Sequence, residues 1–95
     1  MSIVTSKPRF TEKQGQYLAF IHAYVLLNRR PPAEADMENY FRVTPPSVHR
    51  MVVELERRGL ICRVPRQARS IELCLSAEEI PPRRPQSIET SVSRY

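Results

Sequence analysis

Residues 42–59, read as RVTPPSVHRMVVELERRG, decide the fold of this 95-residue chain. Thr44 is a favoured helix N-cap, and the proline after it suits the first helical position, where a missing N–H costs nothing. Gly59 is a favoured residue just past a helix C-terminus. Between these limits four apolar residues repeat at helical spacing, namely Val48, Met51, Val52 and Leu55. The stretch predicts a helix over about 45–58 whose apolar stripe packs into a core.

The opposite face of this helix is polar and contains arginine. It carries Ser47, His49, Arg50, Glu54 and Arg57. A short helix that presents such side chains from its N-terminal half has the form needed to enter the major groove of DNA. An amphipathic surface helix of no special function has the same pattern, so the neighbouring segments must decide between the two interpretations.

A first helix is predicted from Thr11. Gln14 follows it by three residues, which is a capping-box pattern, and apolar residues then recur at helical spacing from Tyr17 to Val25. Pro31 and Pro32 cannot continue this helix. Lys13 near its start is interpreted as a solvated lysine, with a phosphate contact as the alternative.

A second, shorter helix is predicted from about Ala33 to Phe41. Its front carries Glu34, Asp36 and Glu38, which suits the positive end of a helix dipole. Acidic side chains would repel a nearby phosphate backbone, however. Either they point away from the DNA or the proposed orientation is wrong.

The connection between the second helix and the helix over 45–58 is very short. Only Arg42 and Val43 precede the Thr44 cap, so the two helices form a helix-turn-helix. Such turns often contain glycine, which tolerates positive φ, and this one has none. We expect either that Arg42 holds that backbone geometry or that the turn is tighter than usual.

After Gly59 the apolar period changes from helical to alternating. Residues 60–64 and 70–75 are short and apolar-rich, and residues 65–69 between them contain Arg66 and Arg69. This pattern predicts a β-hairpin; we call residues 60–75 the wing and residues 65–69 its tip. The predicted fold is therefore mainly α with a small β-hairpin: a winged helix-turn-helix of three helices plus a two-stranded wing.

The charge distribution favours a nucleic-acid partner. The chain has 15 basic against 10 acidic residues, a net charge of +5. Between residues 42 and 69 there are seven arginines against two glutamates. Arginine forks match phosphates and guanine edges, although a basic patch alone is weak evidence.

Other classes of protein have little support. The histidines at 22 and 49 are predicted on different helices without a paired carboxylate or cysteine, and the only glycines are at 15 and 59, so we expect no enzyme, metal or cofactor. No secretory signal or membrane span is recognisable, which predicts a cytoplasmic protein. Cys62 and Cys74 are interpreted as reduced structural thiols that could be neighbours across the hairpin.

The predicted organisation has three parts. Residues 1–10 form a flexible lead-in, residues 11–76 form the domain, and residues 77–95 form a tail containing proline and arginine. Within the tail, residues 87–94 alternate in polarity. They are interpreted either as disordered or as an edge strand added to the wing or to a partner.

With these elements in place, residues 10–75 resemble the N-terminal DNA-binding domain of the LexA repressor family. The likeness is carried by FTEKQGQYLAFI in the first helix, the Pro-Pro pair before the second, SVHRMVVELERRGLI from the third helix onward and ARSIEL at residues 68–73. The resemblance implies a domain that binds duplex DNA through the third helix. By position, Ser47, His49 and Arg50 correspond to the part that faces the bases, and residues 66–69 to the wing.

The chain departs from the family pattern at three points. The turn is one residue shorter and lacks the family's glycine, so the family's operator cannot be assumed. Pro46 removes an N–H that could hold a phosphate. The protease and dimerisation domain of LexA is not present, and because Lys7 and Lys13 are the only lysines, no Ser-Lys dyad can be assembled. We therefore expect no self-cleavage.

The sequence thus predicts a small bacterial-type transcriptional regulator that binds double-stranded DNA, with Arg50 contacting a guanine edge. A homodimer or a protein partner could join through the tail. The alternative is a winged-helix protein-interaction module within a larger assembly, and RNA binding is a weaker third possibility. The predicted DNA-contacting residues are Thr44, Pro46, Ser47, His49, Arg50, Arg57, Arg66, Gln67 and Arg69.

Overall fold

A computed structural model of the chain describes residues 10–83. Its elements in order are α1 (Glu12–Asn28), α2 (Glu34–Phe41), α3 (Pro45–Arg57), β1 (Ile61–Cys62), β2 (Glu72–Leu73) and a 3₁₀ turn at Ala77–Glu79. The predicted fold class is confirmed, with three helices and one two-stranded antiparallel sheet. The predicted edge strand at 87–94 and nearly all of the lead-in at 1–10 lie outside the described residues.

Helix α1 begins with the predicted capping box. The Gln14 N–H donates to the Thr11 hydroxyl oxygen at 3.1 Å, and the Thr11 N–H donates to the Gln14 side-chain oxygen at 2.9 Å. These bonds satisfy two of the N–H groups that a helix start leaves without intrahelical partners. The helix ends at Asn28 because Arg29 adopts the left-handed conformation, two residues before the proline pair.

The core lies where the three helices meet the wing. The α3 stripe is confirmed: Val48, Val52 and Leu55 are fully buried, and Met51 packs beside them. The remaining buried core residues come from α1, α2, β1 and the positions that precede the two strands, and are Tyr17, Leu18, Phe20, Ile21, Met37, Leu60, Ile61 and Ile71. Burial of one apolar face of α3 in this core directs its other face to solvent.

Arg42 adopts the left-handed geometry of the turn between α2 and α3, which confirms the first of the two expectations for this turn. Arg42 has φ 58° and ψ 50°, and its N–H donates to the Glu38 carbonyl. Thr44 caps α3 by accepting from the Ser47 N–H at 3.4 Å. The turn therefore has the left-handed residue that glycine supplies in other helix-turn-helix proteins, with an arginine in its place.

Replacing Arg42 with glycine is expected to stabilise the domain. A left-handed conformation costs an L-residue roughly 1–2 kcal/mol, and glycine would avoid this cost. The greater conformational freedom of glycine in the unfolded chain would cancel about 0.4–1 kcal/mol of that gain in stability. We expect Arg42→Gly to raise the free energy of unfolding, measured by urea denaturation, by about 0.5–1 kcal/mol. Arg30→Gly is the matched control and should lower it, because Arg30 does not have positive φ. Equal losses in both variants would show that the Arg42 side chain stabilises the turn.

Helix α3 ends in a Schellman motif built on Gly59. The Leu60 N–H donates to the Leu55 carbonyl at 3.0 Å, and the Gly59 N–H donates to the Glu56 carbonyl at 2.9 Å. Gly59 has φ 76°, which glycine adopts without the steric cost that a Cβ imposes. The motif turns the chain directly from α3 into β1.

The wing is a hairpin whose regular ladder is shorter than the sequence predicted. Ile61 pairs with Leu73 and Cys62 with Glu72, and the Cys74 N–H adds a bond to the Leu60 carbonyl. The prediction of strands over 60–64 and 70–75 was wrong in length. Beyond Cys62 the backbone is diverted, because the Val64 N–H donates to the Ser70 hydroxyl at 2.9 Å instead of to a strand partner.

The start of the C-terminal tail packs back on the helices. The Gln16 side chain of α1 donates to the Pro82 carbonyl at 3.1 Å, and the Arg83 guanidinium lies 5.5 Å from the centre of the Tyr40 ring of α2. Pro81 contacts α1 so closely that a Cβ on Gly15 would lie 3.0 Å from its ring. The described part of the tail therefore lies against α1 and α2.

Candidate nucleic-acid interface

The N-terminal half of α3 presents the predicted residues to solvent. Thr44, Pro46, His49 and Arg50 are exposed and Ser47 is half-buried. This exposure follows from the sequence, since the residues alternate with the buried stripe at helical spacing. The face is thus available to a partner without any rearrangement of the core.

The first turn of α3 offers hydroxyls to a ligand and no free amide. Both residues after Thr44 are prolines without an N–H, and the Ser47 N–H is taken by the Thr44 cap. The Thr44 and Ser47 hydroxyl oxygens lie 2.9 Å apart and share a hydrogen bond. Since α3 lacks the cluster of amides that holds phosphate at many helix starts, an anion here must be bound by side chains.

Lys13 lies closer to this face than the sequence indicated. A depression of about 350 Å³ on the α1 side of α3 is lined by Lys13, Ser47 and Arg50 among others. Helix periodicity in the sequence does not show which helix lies beside Lys13. Packing of α1 against α3 brings its positive charge next to the predicted base-reading residues.

His49 is paired with the acidic front of α2. Its Nδ1 lies 3.2 Å from a Glu34 carboxylate oxygen, and the two side chains are 58% and 32% exposed. A carboxylate can only accept, so the imidazole donates through Nδ1 and its Nε2 is left for another partner. Glu34 therefore does not point away from the α3 face: it contacts a residue of that face and orients it.

Arg57 shares its charge with Glu54. Glu54 accepts from Arg57 at 2.6 Å and from Arg58 at 2.8 Å, and these hydrogen bonds lower its pKa to about 2. The same pairing raises the pKa of Arg57. Because the Glu54 pKa is depressed, the pairing is present above the ordinary carboxyl pKa and is lost only as pH falls towards 2. The C-terminal end of α3 is thus less positive than its arginines suggest.

The wing tip is a compact turn tied together by Ser70. The Ser70 hydroxyl donates to the Gln67 carbonyl at 2.9 Å and accepts from the Val64 N–H at the same distance. Arg66 sits in the left-handed conformation with φ 65°, and both Arg66 and Gln67 are exposed. This turn displays the Arg66 side chain to solvent.

Arg69, the second arginine of the tip, is directed into the protein. Its Nη1 lies 3.1 Å from the Tyr24 hydroxyl, 3.2 Å from the Pro31 carbonyl oxygen and 3.1 Å from an Asp36 carboxylate oxygen. The hydrogen bond to Tyr24 is the largest cause of a raised pKa for this guanidinium. The sequence could not indicate these contacts, because the partners lie 33 to 45 residues away.

The α3 face and the wing tip border the same groove. It has a volume of about 570 Å³, and its lining includes Glu34, His49, Arg66 and Gln67. We call the surface made by Lys13, Ser47, His49, Arg50, Arg66 and Gln67 the α3–wing surface. Within residues 10–83, neither Arg50 nor Arg66 has a hydrogen-bond or ion-pair partner, so both charges face solvent on this surface.

The two cysteines are free thiols and are exposed. A hydrogen bond with Cys62, together with partial burial, raises the pKa of Cys74 to about 11. The expected proximity across the hairpin is therefore confirmed, and the high pKa keeps the Cys74 thiol protonated and poorly nucleophilic.

A metal-binding cluster and a membrane-spanning helix are both absent from the part of the chain that the structure describes. No group of three or more histidine, cysteine or acidic side chains comes together as a metal site would require. Among the same residues, no helix combines the length and the apolar character needed to cross a membrane.

The described residues form three helices and a two-stranded wing, and the last helix presents a polar face beside the wing tip. This arrangement defines a winged helix-turn-helix protein. The comparison with protein families agrees with this class: the LexA DNA binding domain matches residues 7–70. The chain belongs to this family.

Individual relatives support the same assignment. The chain is similar to the LexA repressor of Thermosipho melanesiensis, with 39% identity over 72 residues, which is 76% of this chain and 36% of that protein. It is 36% identical to the Thermosipho africanus LexA repressor over 74% of the chain and 35% of that protein. It is 37% identical to the Bartonella quintana LexA repressor over 74% of the chain and 30% of that protein. The chain spans about a third of the length of these relatives.

Proposed function

We propose that this chain is a small transcriptional regulator of bacterial type and that it binds duplex DNA through α3 and the wing tip together. The observation that carries the proposal is the groove bordered by both His49 and Arg66. A duplex whose major groove receives α3 would then have its backbone beside the wing tip. As a regulator of bacterial type, it would act in the cytoplasm.

The proposed roles follow from side-chain chemistry. Arg50 is free of protein partners in the described region and is proposed to bind a guanine edge with its fork, with Ser47 and His49 as its neighbours in base contact. Thr44, Lys13 and the exposed Pro46 would lie along the backbone near the start of α3. Arg57 is proposed as a weaker contact, because Glu54 shares its charge.

Arg66 and Gln67 of the wing tip are proposed to contact phosphate or the minor groove. Removing Arg66 should weaken binding to every duplex to a similar extent, because phosphates carry no direct sequence information. We expect Arg66→Ala to reduce the slope of log affinity against log salt by about one, since one fewer counterion is released. Anisotropy titrations at several salt concentrations measure this slope. An unchanged slope together with an altered preferred sequence would instead place Arg66 on a base.

A single module of this size is expected to bury only about 600–1,000 Å² on DNA. Useful affinity therefore calls for a second copy or a protein partner, and we propose that one of these joins through the C-terminal tail. For these 95 residues we propose binding without self-cleavage, because their only lysines are at 7 and 13.

The alternative function is a protein-docking module. It would be favoured if the tail covered the α3–wing surface. Up to Arg83 the tail instead contacts Gln16 and the Tyr40 ring, on α1 and α2, which supports DNA binding. The acidic front of α2, which had suggested docking, is engaged with His49 and Arg69.

The test is a fluorescence-anisotropy titration against a randomised duplex pool at two salt concentrations, followed by selection and sequencing of the bound fraction. Salt-sensitive binding with an enriched motif is expected, and a palindromic motif would indicate a dimer. Absence of binding at low salt would reject the proposal and favour the docking module.

A further inference from the structure

One long side chain of the wing tip, that of Arg69, reaches α1 and α2. Arg69 reaches the hydroxyl of Tyr24 on α1, the Pro31 carbonyl between α1 and α2, and the carboxylate of Asp36 on α2. Its guanidinium also lies 6.0 Å from the centre of the Tyr24 ring. One residue thus joins the tip to both helices and to the connection between them.

These contacts leave Arg69 poorly placed to bind DNA. Its side chain is only 33% exposed, and the Asp36 oxygen that accepts from it also accepts from the Ala33 N–H at the start of α2. These three acceptors all lie at Nη1, so a phosphate contact through this nitrogen would require Arg69 to give them up. Arg66, three residues earlier, is exposed and has no partner in the described part of the chain.

The wing needs such a connection because its own ladder is short. Among residues 10–83, two residue pairs form the sheet, and a two-stranded hairpin is marginally stable by itself in water. Without an anchor at the tip, residues 65–69 would sample many positions relative to α3. A phosphate contact from a mobile tip loses affinity to the entropy of ordering it.

We propose that Arg69 is a positioning residue, which holds the wing tip at a fixed place beside α3 so that Arg66 meets the backbone of the duplex that α3 reads. This inference rests on the proposed function. Arg69 would then affect DNA binding indirectly and would not contact the DNA itself. The inference also explains why the acidic Asp36 lies near the α3–wing surface, because its charge is paired with that of Arg69.

Tyr24→Phe is the decisive variant because it removes one acceptor of Arg69 without changing any charge. We expect it to weaken binding to a selected duplex by roughly two- to tenfold, the range for one hydrogen bond. The salt slope should fall towards that of Arg66→Ala, while the preferred sequence stays the same. Arg69→Lys, which keeps the charge and loses the fork, should weaken binding at least as much.

Tyr40→Phe is the matched control, since its hydroxyl has no hydrogen-bond partner among residues 10–83, and it should bind DNA as the parent protein does. If Arg69 contacted phosphate itself, Arg69→Lys would retain most of the affinity and Tyr24→Phe would leave it unchanged or raise it. Either result would overturn the proposal. A loss of thermal stability without a change in salt slope would also reject it, because that is the effect of a purely structural residue.

Amide hydrogen exchange without DNA separates failure of this inference from failure of the proposed function. Tyr24→Phe should accelerate exchange of the Gln67 amide, which donates to the Val64 carbonyl across the tip, and leave the amides of α3 unchanged. If the parent protein bound no DNA, the proposed function would fail, and unchanged exchange at the tip would separately show that Arg69 does not position it.

Discussion

Leu55→Ala is expected to lower the free energy of unfolding by about 2–5 kcal/mol, a large part of the roughly 5–15 kcal/mol that stabilises a typical domain. Leu55 is fully buried near the end of α3, and its carbonyl accepts the N–H of Leu60 in the motif that begins β1. Truncation would leave a cavity between α3 and the core. For a domain of this size each kcal/mol corresponds to a fall in melting temperature of roughly 4–8 °C.

Leu27→Ala is the control with the same chemical change. Leu27 also lies on a helix, but it is 77% exposed, so truncation removes almost no burial and leaves a residue of slightly better helix propensity. Its free energy of unfolding, measured by urea denaturation, should stay within about 0.5 kcal/mol of the parent value. Similar losses in both variants would mean that α3 is not held by its apolar stripe, or that Leu27 is covered by a partner.

The helical part of the fold could be predicted because its signals are local. Thr11 and Gln14 fix one helix start, Thr44 fixes another, and Gly59 fixes the end of α3. Each acts through bonds to residues a few positions away, so the sequence alone contains the information.

The wing was predicted with less accuracy because its limits depend on side chains outside the strands. Alternating polarity indicated strands of five and six residues, but the regular ladder covers two in each. Ser70 takes the Val64 N–H, and Arg63 turns to Glu56 of α3 at 3.0 Å. Neither bond is visible as periodicity.

The candidate site shows the same division between local and long-range information. Exposure of His49 and Arg50 follows from the period of α3 and was predictable. The pairing of Glu34 with His49 and of Asp36 with Arg69 was not, because it depends on how α2 and the wing pack. The acidic front of α2, which seemed to oppose DNA binding, instead pairs with His49 of α3 and with Arg69 of the wing tip.

Arg50→Ala is expected to reduce discrimination between the preferred duplex and single-base variants by about 1–3 kcal/mol, which is roughly a five- to 150-fold change in relative affinity. The loss should be confined to one base position, since a fork on guanine reads a single base pair. Competition titrations with a panel of single-base variants, at constant salt, measure it position by position.

Arg83→Ala is the control that separates the loss of a base contact from the loss of a charge. It removes the same charge from a tail residue that lies against the Tyr40 ring of α2 and is not part of the α3–wing surface. It should lower affinity slightly for all duplexes and leave their ranking unchanged, because a distant charge acts through the general field. If Arg50→Ala behaved in the same way, Arg50 would be a backbone contact, and the base-reading residues would have to be sought at Ser47 and His49, with the latter fixed by Glu34.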